Sequence, residues 1–181
     1  MSEVLTEKQI SDAIKEKNNV EREIFKALLL GRKIWEDYID TVYRYNGKLY
    51  YIRKWIEKKL ISVNIFENEN DKYTYTSMIS NLLYDTVIIS YYKNDYIHAL
   101  FKPADMKFKD GFPVRVDYYI KGLKYTQEKY SKMMEEDLAK ALGGESSEEV
   151  KTKMQRQSGN LVNKVGSRVP EGHEQNIPVG R

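Results

Sequence analysis

The stretch Val114–Gly144, VRVDYYIKGLKYTQEKYSKMMEEDLAKALGG, decides how the chain is parsed. Val116, Tyr119, Ile120, Leu123, Tyr130, Met134, Leu138 and Leu142 recur mostly in steps of three, four or seven. That spacing lines side chains up on one face of a helix. Glu128 with Lys132, and Glu136 with Lys140, stand four apart in the acid-first order that supports a helix. Pro113 suits a first helical turn and Gly143-Gly144 a C-terminus. The pattern predicts one long amphipathic helix over about 114–142. Every aromatic residue lies between Phe25 and Tyr130, so this helix separates an aromatic body from a tail without any.

Outward from that stretch, 181 residues suffice for one domain of ordinary size with length to spare. Hydrophobic residues make up 41% and charged residues 31%, the balance of a soluble globular chain. Lys+Arg number 30 and Asp+Glu 27, giving a net charge of +3 with the two signs interspersed. Such a surface is solvated rather than a stripe built for nucleic acid. With no Cys, disulfides, thiolate catalysis and zinc ribbons are excluded. No apolar run is long enough to span a membrane, and the first residues lack the order of a signal peptide. The expectation is synthesis in the cytoplasm and no membrane partner. Fifteen tyrosines stand out. A low-GC genome explains them as well as subunit contacts do, where half-buried rings with a hydroxyl are favoured.

Before the long helix, Thr6 and Gln9 have capping-box spacing and open a helix to about Lys17. Asn18-Asn19 interrupts it, and a second helix is expected from Val20 to Tyr45, with Gly31 on its apolar stripe. Asn46-Gly47 reads as a hairpin turn or as the bend of a helix–turn–helix. Leu49, Ile52, Ile56 and Leu60 keep helical spacing and favour the second. The runs 62–66 and 72–76, flanking a polar loop, predict a β-hairpin at about 61–76. A buried helix is expected from Met78 to about Tyr92, with a strand at Thr86–Ile89 as the alternative. Residues 103–113 read as a loop. Beyond Gly144, a short helix capped by Ser146 leads into a Pro/Gly-punctuated arm. The expected fold is therefore mainly α: a helical bundle with one small β-hairpin in a body over 1–143. Residues 144–181 add a short helix and an extended C-terminal arm.

No motif carries chemistry. His98 and His173 are the only histidines; His98 lies among Tyr96, Ile97, Leu100 and Phe101, and His173 sits in the tail with no site around it. The acidic run at Glu67, Glu69 and Asp71 lacks the glycine and final glutamate of an EF-hand. No P-loop glycines precede a Lys-Ser/Thr pair. The reading is not an enzyme, with no catalytic residue, metal or cofactor. Arg53, Lys54, Lys58 and Lys59, read on one helix, form a basic face beside Trp55 that is a candidate for phosphate contact.

This order of elements, with its polar tail from Ser158-Gly159-Asn160 to Arg181, resembles the head–tail adaptor (connector, head-completion) proteins of tailed bacteriophages. The resemblance is one of layout over the whole chain and carries no diagnostic motif. It implies a structural subunit of a virion, a homo-oligomeric ring joining portal to tail proteins near DNA. It implies an arm anchored on neighbouring subunits by Val165, Val169, Ile177 and Val179, with Trp35 and Trp55 packing bodies together. The alternative is a DNA-associated or regulatory helical protein of the same origin.

Overall fold

The computed structural model describes residues 4–141. It overturns the helical bundle. Among the described residues there are two helices, and most of the body is one antiparallel sheet of ten strands. The elements are α1 (Glu7–Leu30), β1 (Arg32–Glu36), β2 (Asp40–Tyr45), β3 (Lys48–Trp55), β4 (Leu60–Phe66) and β5 (Tyr75–Asn81). They continue with β6 (Thr86–Lys93), β7 (Tyr96–Ile97), β8 (Asp105–Lys109), β9 (Phe112–Ile120), β10 (Leu123–Tyr125) and α2 (Gln127–Ala141). The strand order is β1-β2-β3-β4-β5-β6-β8-β9-β10, with two-residue β7 beside β6. Almost every strand thus pairs with its neighbour in sequence. No helix among the described residues is long and apolar enough to cross a membrane.

The turns show why strands win. Asn46-Gly47, Asn94-Asp95, Asp110-Gly111 and Lys121-Gly122 each place two successive residues at positive φ. That is the type I′ geometry whose twist matches a β-hairpin. Asn46-Gly47 therefore joins β2 to β3 and is no helix–turn–helix. The expected helix over 114–142 divides at Lys121-Gly122 into β9 and β10, and only its second half, α2, is helical. The expected helix over Met78–Tyr92 becomes β5 and β6, joined across 82–85. The expected hairpin at 61–76 corresponds to β4 and the start of β5.

The Thr6/Gln9 capping box forms, with the Thr6 Oγ1 accepting from Gln9 N at 3.2 Å and Gln9 Oε1 from Thr6 N at 2.8 Å. The helix then runs unbroken through Asn18-Asn19. Each Asn costs at most about 0.7 kcal/mol there, less than the burial of Ala13, Val20, Ile24 and Ala27 returns. Gly31 ends α1 in extended geometry and turns the chain into β1.

One face of the sheet packs on α1. Tyr50 and Ile52 on β3, Val63 and Ile65 on β4, Ile89 and Tyr91 on β6 and Met106 and Phe108 on β8 all point there and are buried. The strand alternation is the reason, since residues two apart share a face. Two of the tyrosines reach carboxylates of the helix. Tyr50 donates to Glu23 Oε1 at 3.1 Å, and Tyr91 to Glu16 Oε2 at 2.8 Å. Burial, reinforced by these carboxylates, pushes both phenols well above their ordinary pKa.

Tyr118 and Tyr130 pack with ring centroids 4.8 Å apart. The Tyr130 hydroxyl donates to Ala99 O at 2.8 Å, while the buried Tyr118 hydroxyl has no partner among the described residues. Tyr118→Phe is therefore expected to leave stability unchanged or raise it by up to about 1 kcal/mol. Tyr130→Phe should lose about 1–2 kcal/mol. Urea unfolding of the two variants side by side checks the contrast. Residues 1–134 form one compact unit and 135–181 a second, of which Glu135–Ala141 of α2 are described.

Candidate interaction surface

The β1 edge carries the first unusual surface. All five residues of β1 are exposed, and the strand pairs only with β2 among the described residues. Its other side has no strand partner among the described residues, and an open edge of that kind is a template for pairing. Lys33 and Glu36, both on β1, pair along the strand at 2.6 Å, and a register shift falls between Lys33 and Trp35. Such charges and irregularities commonly blunt an edge. Yet Ile34 and Trp35 stay 40% and 47% exposed. Just before them, the last turns of α1 expose Phe25, Leu28, Leu29 and Leu30 by 43–68%. Six large apolar side chains in eleven residues form a patch that a monomer rarely leaves in water.

The second surface is a rim. In a meander, alternate turns fall at opposite ends of the sheet. The β1–β2, β3–β4, β5–β6 and β8–β9 tips share one end, and backbone bonds tie neighbouring tips together. Lys54 N donates to Ile39 O, Leu82 N to Lys59 O and Asp110 N to Asp85 O, all at 2.9–3.0 Å. The tips expose Tyr38 and Ile39, then Trp55 and Ile56, then Leu82, Leu83 and Tyr84, then Phe112 and Val114. The opposite end has more polar turns, Asn46-Gly47, Glu67–Lys72, Asn94-Asp95 and Lys121-Gly122, with Tyr73, Tyr96 and Leu123 exposed beside them.

The sheet face away from α1 is different again. Tyr51, Asn64, Ser77, Ser90, Asp105 and Asp117 lie in one row across six strands. Asp40 receives Arg53 Nε at 2.7 Å and Nη2 at 2.6 Å, with the Tyr51 hydroxyl at 2.5 Å. The Arg53 hydrogen bonds hold the Asp40 carboxyl below the usual carboxylate range, and Tyr51 adds to them against the opposing effect of burial. On the other side, Asp105 takes Ser90 Oγ at 2.6 Å and Arg115 Nη2 at 2.5 Å, and Asp117 takes Lys124 Nζ at 2.8 Å. Phe66, Tyr75 and Tyr92 lie in the next row, with Phe66 tilted against Tyr75 and Tyr75 stacked on Tyr92 at 4.7 Å. These carboxylates are neutralised by fixed cations, which suits a rigid surface better than proton transfer.

Two clefts flank the sheet. One, of about 260 Å³, centres on Glu23, whose carboxylate already holds Lys48 Nζ at 2.8 Å and the Tyr50 hydroxyl. The other, of about 560 Å³, lies between the chain before α1 and β9–β10, where Thr6 Oγ1 donates to Gln127 Oε1 at 2.8 Å. Neither sets a nucleophile against a base. Among the described residues no group of three or more His, Asp or Glu is placed to hold a metal ion.

His98 offers a pH test of local structure. Its Nδ1 accepts from Lys121 N at 3.1 Å and so pins the β9–β10 turn. Burial, with Lys93 and Lys121 nearby, lowers its pKa. The unfolded chain, titrating near about 6.5, then binds more protons than the folded one. Stability is full above that pH and falls as the solution is acidified through it. The protection of the Lys121 amide, its exchange rate taken relative to that of an unstructured amide at the same pH, is expected to fall below pH 6.5, and His98→Gln to flatten the dependence.

The residues singled out in the sequence are dispersed. Trp35 lies on the β1 edge and Trp55 at the β3 end of the rim, with the Arg53 guanidinium 5.8 Å from its ring. Arg53 and Lys54 are adjacent on a strand and point to opposite faces, while Lys58 and Lys59 sit in the β3–β4 turn. No basic helix face exists, because the helical spacing that grouped them belongs to β3 and β4. Val165, Val169, Ile177 and Val179 lie outside the described residues. What sequence reasoning missed is the rim, whose signal was present as Ile39, Ile56, Leu82-Leu83-Tyr84 and Phe112 beside turn residues. No known protein family, curated protein or solved structure matches the chain.

Proposed function

We propose that the protein is a structural subunit of a larger assembly, acting by binding copies of itself and other proteins and not by catalysis. The observation that carries this reading is the patch made by the end of α1 and edge strand β1. There, exposed Phe25, Leu29, Leu30 and Trp35 adjoin a strand edge that has no partner among the described residues. An open edge supplies main-chain hydrogen bonds and the apolar side chains supply area, the two components of strand addition. The paired carboxylates of the opposite sheet face add support, since they are built for rigidity. The portal-adaptor form of the reading drew on a helical layout that the sheet replaces, so the proposal is confined to assembly.

The test is the native mass of the full chain with the double substitution Leu29→Glu/Trp35→Glu. Both side chains are about half exposed or more, so the fold is expected to survive, as circular dichroism would show. The wild-type chain is expected to form a particle larger than the variant. Equal masses, each 21.4 kDa or its same multiple, would refute the reading.

A further inference from the structure

The hairpin rim calls for its own partner. Tips are normally polar, because turn geometry favours Gly, Asn, Asp and Ser and because water surrounds them. The opposite end follows that rule more closely than the rim, although it exposes Tyr73, Tyr96 and Leu123 beside its turns. Nine rim side chains are 39–81% exposed. Taking about 150–250 Å² for each large side chain, the rim presents on the order of 1000 Å² of apolar surface. That exceeds the roughly 300–600 Å² of the largest patch on an ordinary monomer. It matches the roughly 800 Å² that each partner gives to a standard protein interface. With two strands of about 4.8 Å per tip, four tips extend over roughly 30 Å, the width of such an interface.

Charge identifies the occupant. The β3–β4 tip carries Lys58 and Lys59 with Glu57, a net positive tip, and the β5–β6 tip carries Asp85 alone. None of these four side chains makes an ion pair among the described residues, although Asp40, Asp105 and Asp117 on the sheet face are all paired. Charges of both signs in near balance argue against an anionic lipid surface, which attracts a basic rim. They fit a two-fold arrangement. A two-fold axis midway along four tips sets the second tip against the third of the other copy, and the first against the fourth. Lys58 and Lys59 then face Asp85 of the other copy, Trp55 and Ile56 face its Leu82 and Leu83, and Tyr38 faces its Phe112. Every contact occurs twice, as an isologous interface requires.

We propose that the apolar hairpin rim pairs with the same rim of a second copy about a two-fold axis. The inference stands on the rim alone and does not depend on the β1 edge. Sedimentation equilibrium of the full chain tests it. The wild-type chain is expected at an even multiple of 21.4 kDa, and Leu83→Asp at half the wild-type mass with unchanged circular dichroism. Lys58→Glu/Lys59→Glu is expected to weaken pairing at least about tenfold, and Asp85→Lys likewise, through like charges brought face to face. Mixing those two variants is expected to restore a mixed dimer, which a merely sticky surface would not do.

The proposal fails if Leu83→Asp leaves the mass unchanged or if the charge variants pair as well as the wild type. It also fails if the wild-type chain is monomeric and sediments with phosphatidylcholine vesicles that Leu83→Asp does not bind. The two contacts separate cleanly. Loss of mass in Leu83→Asp but not in Leu29→Glu/Trp35→Glu supports the rim alone, and the reverse supports the β1 edge alone.

Discussion

Phe108→Ala is expected to cost about 3–5 kcal/mol, a large part of the roughly 5–15 kcal/mol that holds a domain of this size together. Phe108 is 1% exposed on β8 and lies opposite Val87 on β6 and Pro113 on β9. From the helix side the Lys17 ammonium sits 5.9 Å from its ring. The residue therefore joins three strands to α1, and truncation leaves a hole bounded by backbone that cannot move in. The fall in Tm should be roughly 10 °C or more. Phe108→Leu, which keeps most of the volume, should lose far less. If urea unfolding finds Phe108→Ala within about 1 kcal/mol of wild type, this core is not packed as described.

Gly31→Ala is expected to cost about 2–4 kcal/mol, from overpacking and a lost hydrogen bond together. Gly31 has φ −75° and ψ 159°, a conformation open to any residue, so the reason is space. A Cβ there would stand 2.3 Å from the Ala27 carbonyl oxygen and 3.2 Å from that of Arg44. The neighbours are backbone and cannot rotate away. Relief requires breaking the Gly31 N–H to Ala27 O bond of 2.9 Å or lifting β1 from the end of α1. Gly47→Ala is the control. Its φ is +75° and nothing lies within 4 Å of the added atom, so only the left-handed backbone is penalised, by about 1–2 kcal/mol. A Gly31→Ala variant no less stable than Gly47→Ala would remove the pinch between helix end and sheet.

The sequence made parts of this fold legible and hid the rest for identifiable reasons. The Thr6/Gln9 capping box is a short-range hydrogen-bonding signal, and it survives folding unchanged. The turn pair Asn46-Gly47 is equally local, but the helical spacing of Leu49, Ile52, Ile56 and Leu60 competes with it, and Lys121-Gly122 is hidden inside the helical spacing of Val116 to Leu142. The two periods collide at steps of four, since Val116 and Ile120 share a face of a strand as well as of a helix. Alternation is also blurred because the sheet face away from α1 is partly apolar. Leu49 and Tyr51 flank Tyr50, and Ile88 flanks Ile89, so successive residues are hydrophobic although they point opposite ways. The tyrosine surplus divides between roles. Tyr50, Tyr91, Tyr118 and Tyr130 are core, while Tyr38 and Tyr84 stand on the rim. The basic set dissolved once Arg53 and Lys54 fell on a strand. The rim could only emerge with the strand order, because its members are far apart in sequence and meet only where alternate turns share an end.

The strand order also bears on how the chain reaches this state. Each hairpin can close on the one before it, across loops of a few residues, so the sheet can lengthen strand by strand as the polypeptide leaves the ribosome. Helix α1 is the exception. Besides its contacts with β2 it packs on β9, whose residues are synthesised some ninety positions later. Until then part of its apolar stripe has no cover, and the seating of the N-terminal helix on β9 becomes the late event that locks the two ends of the meander together.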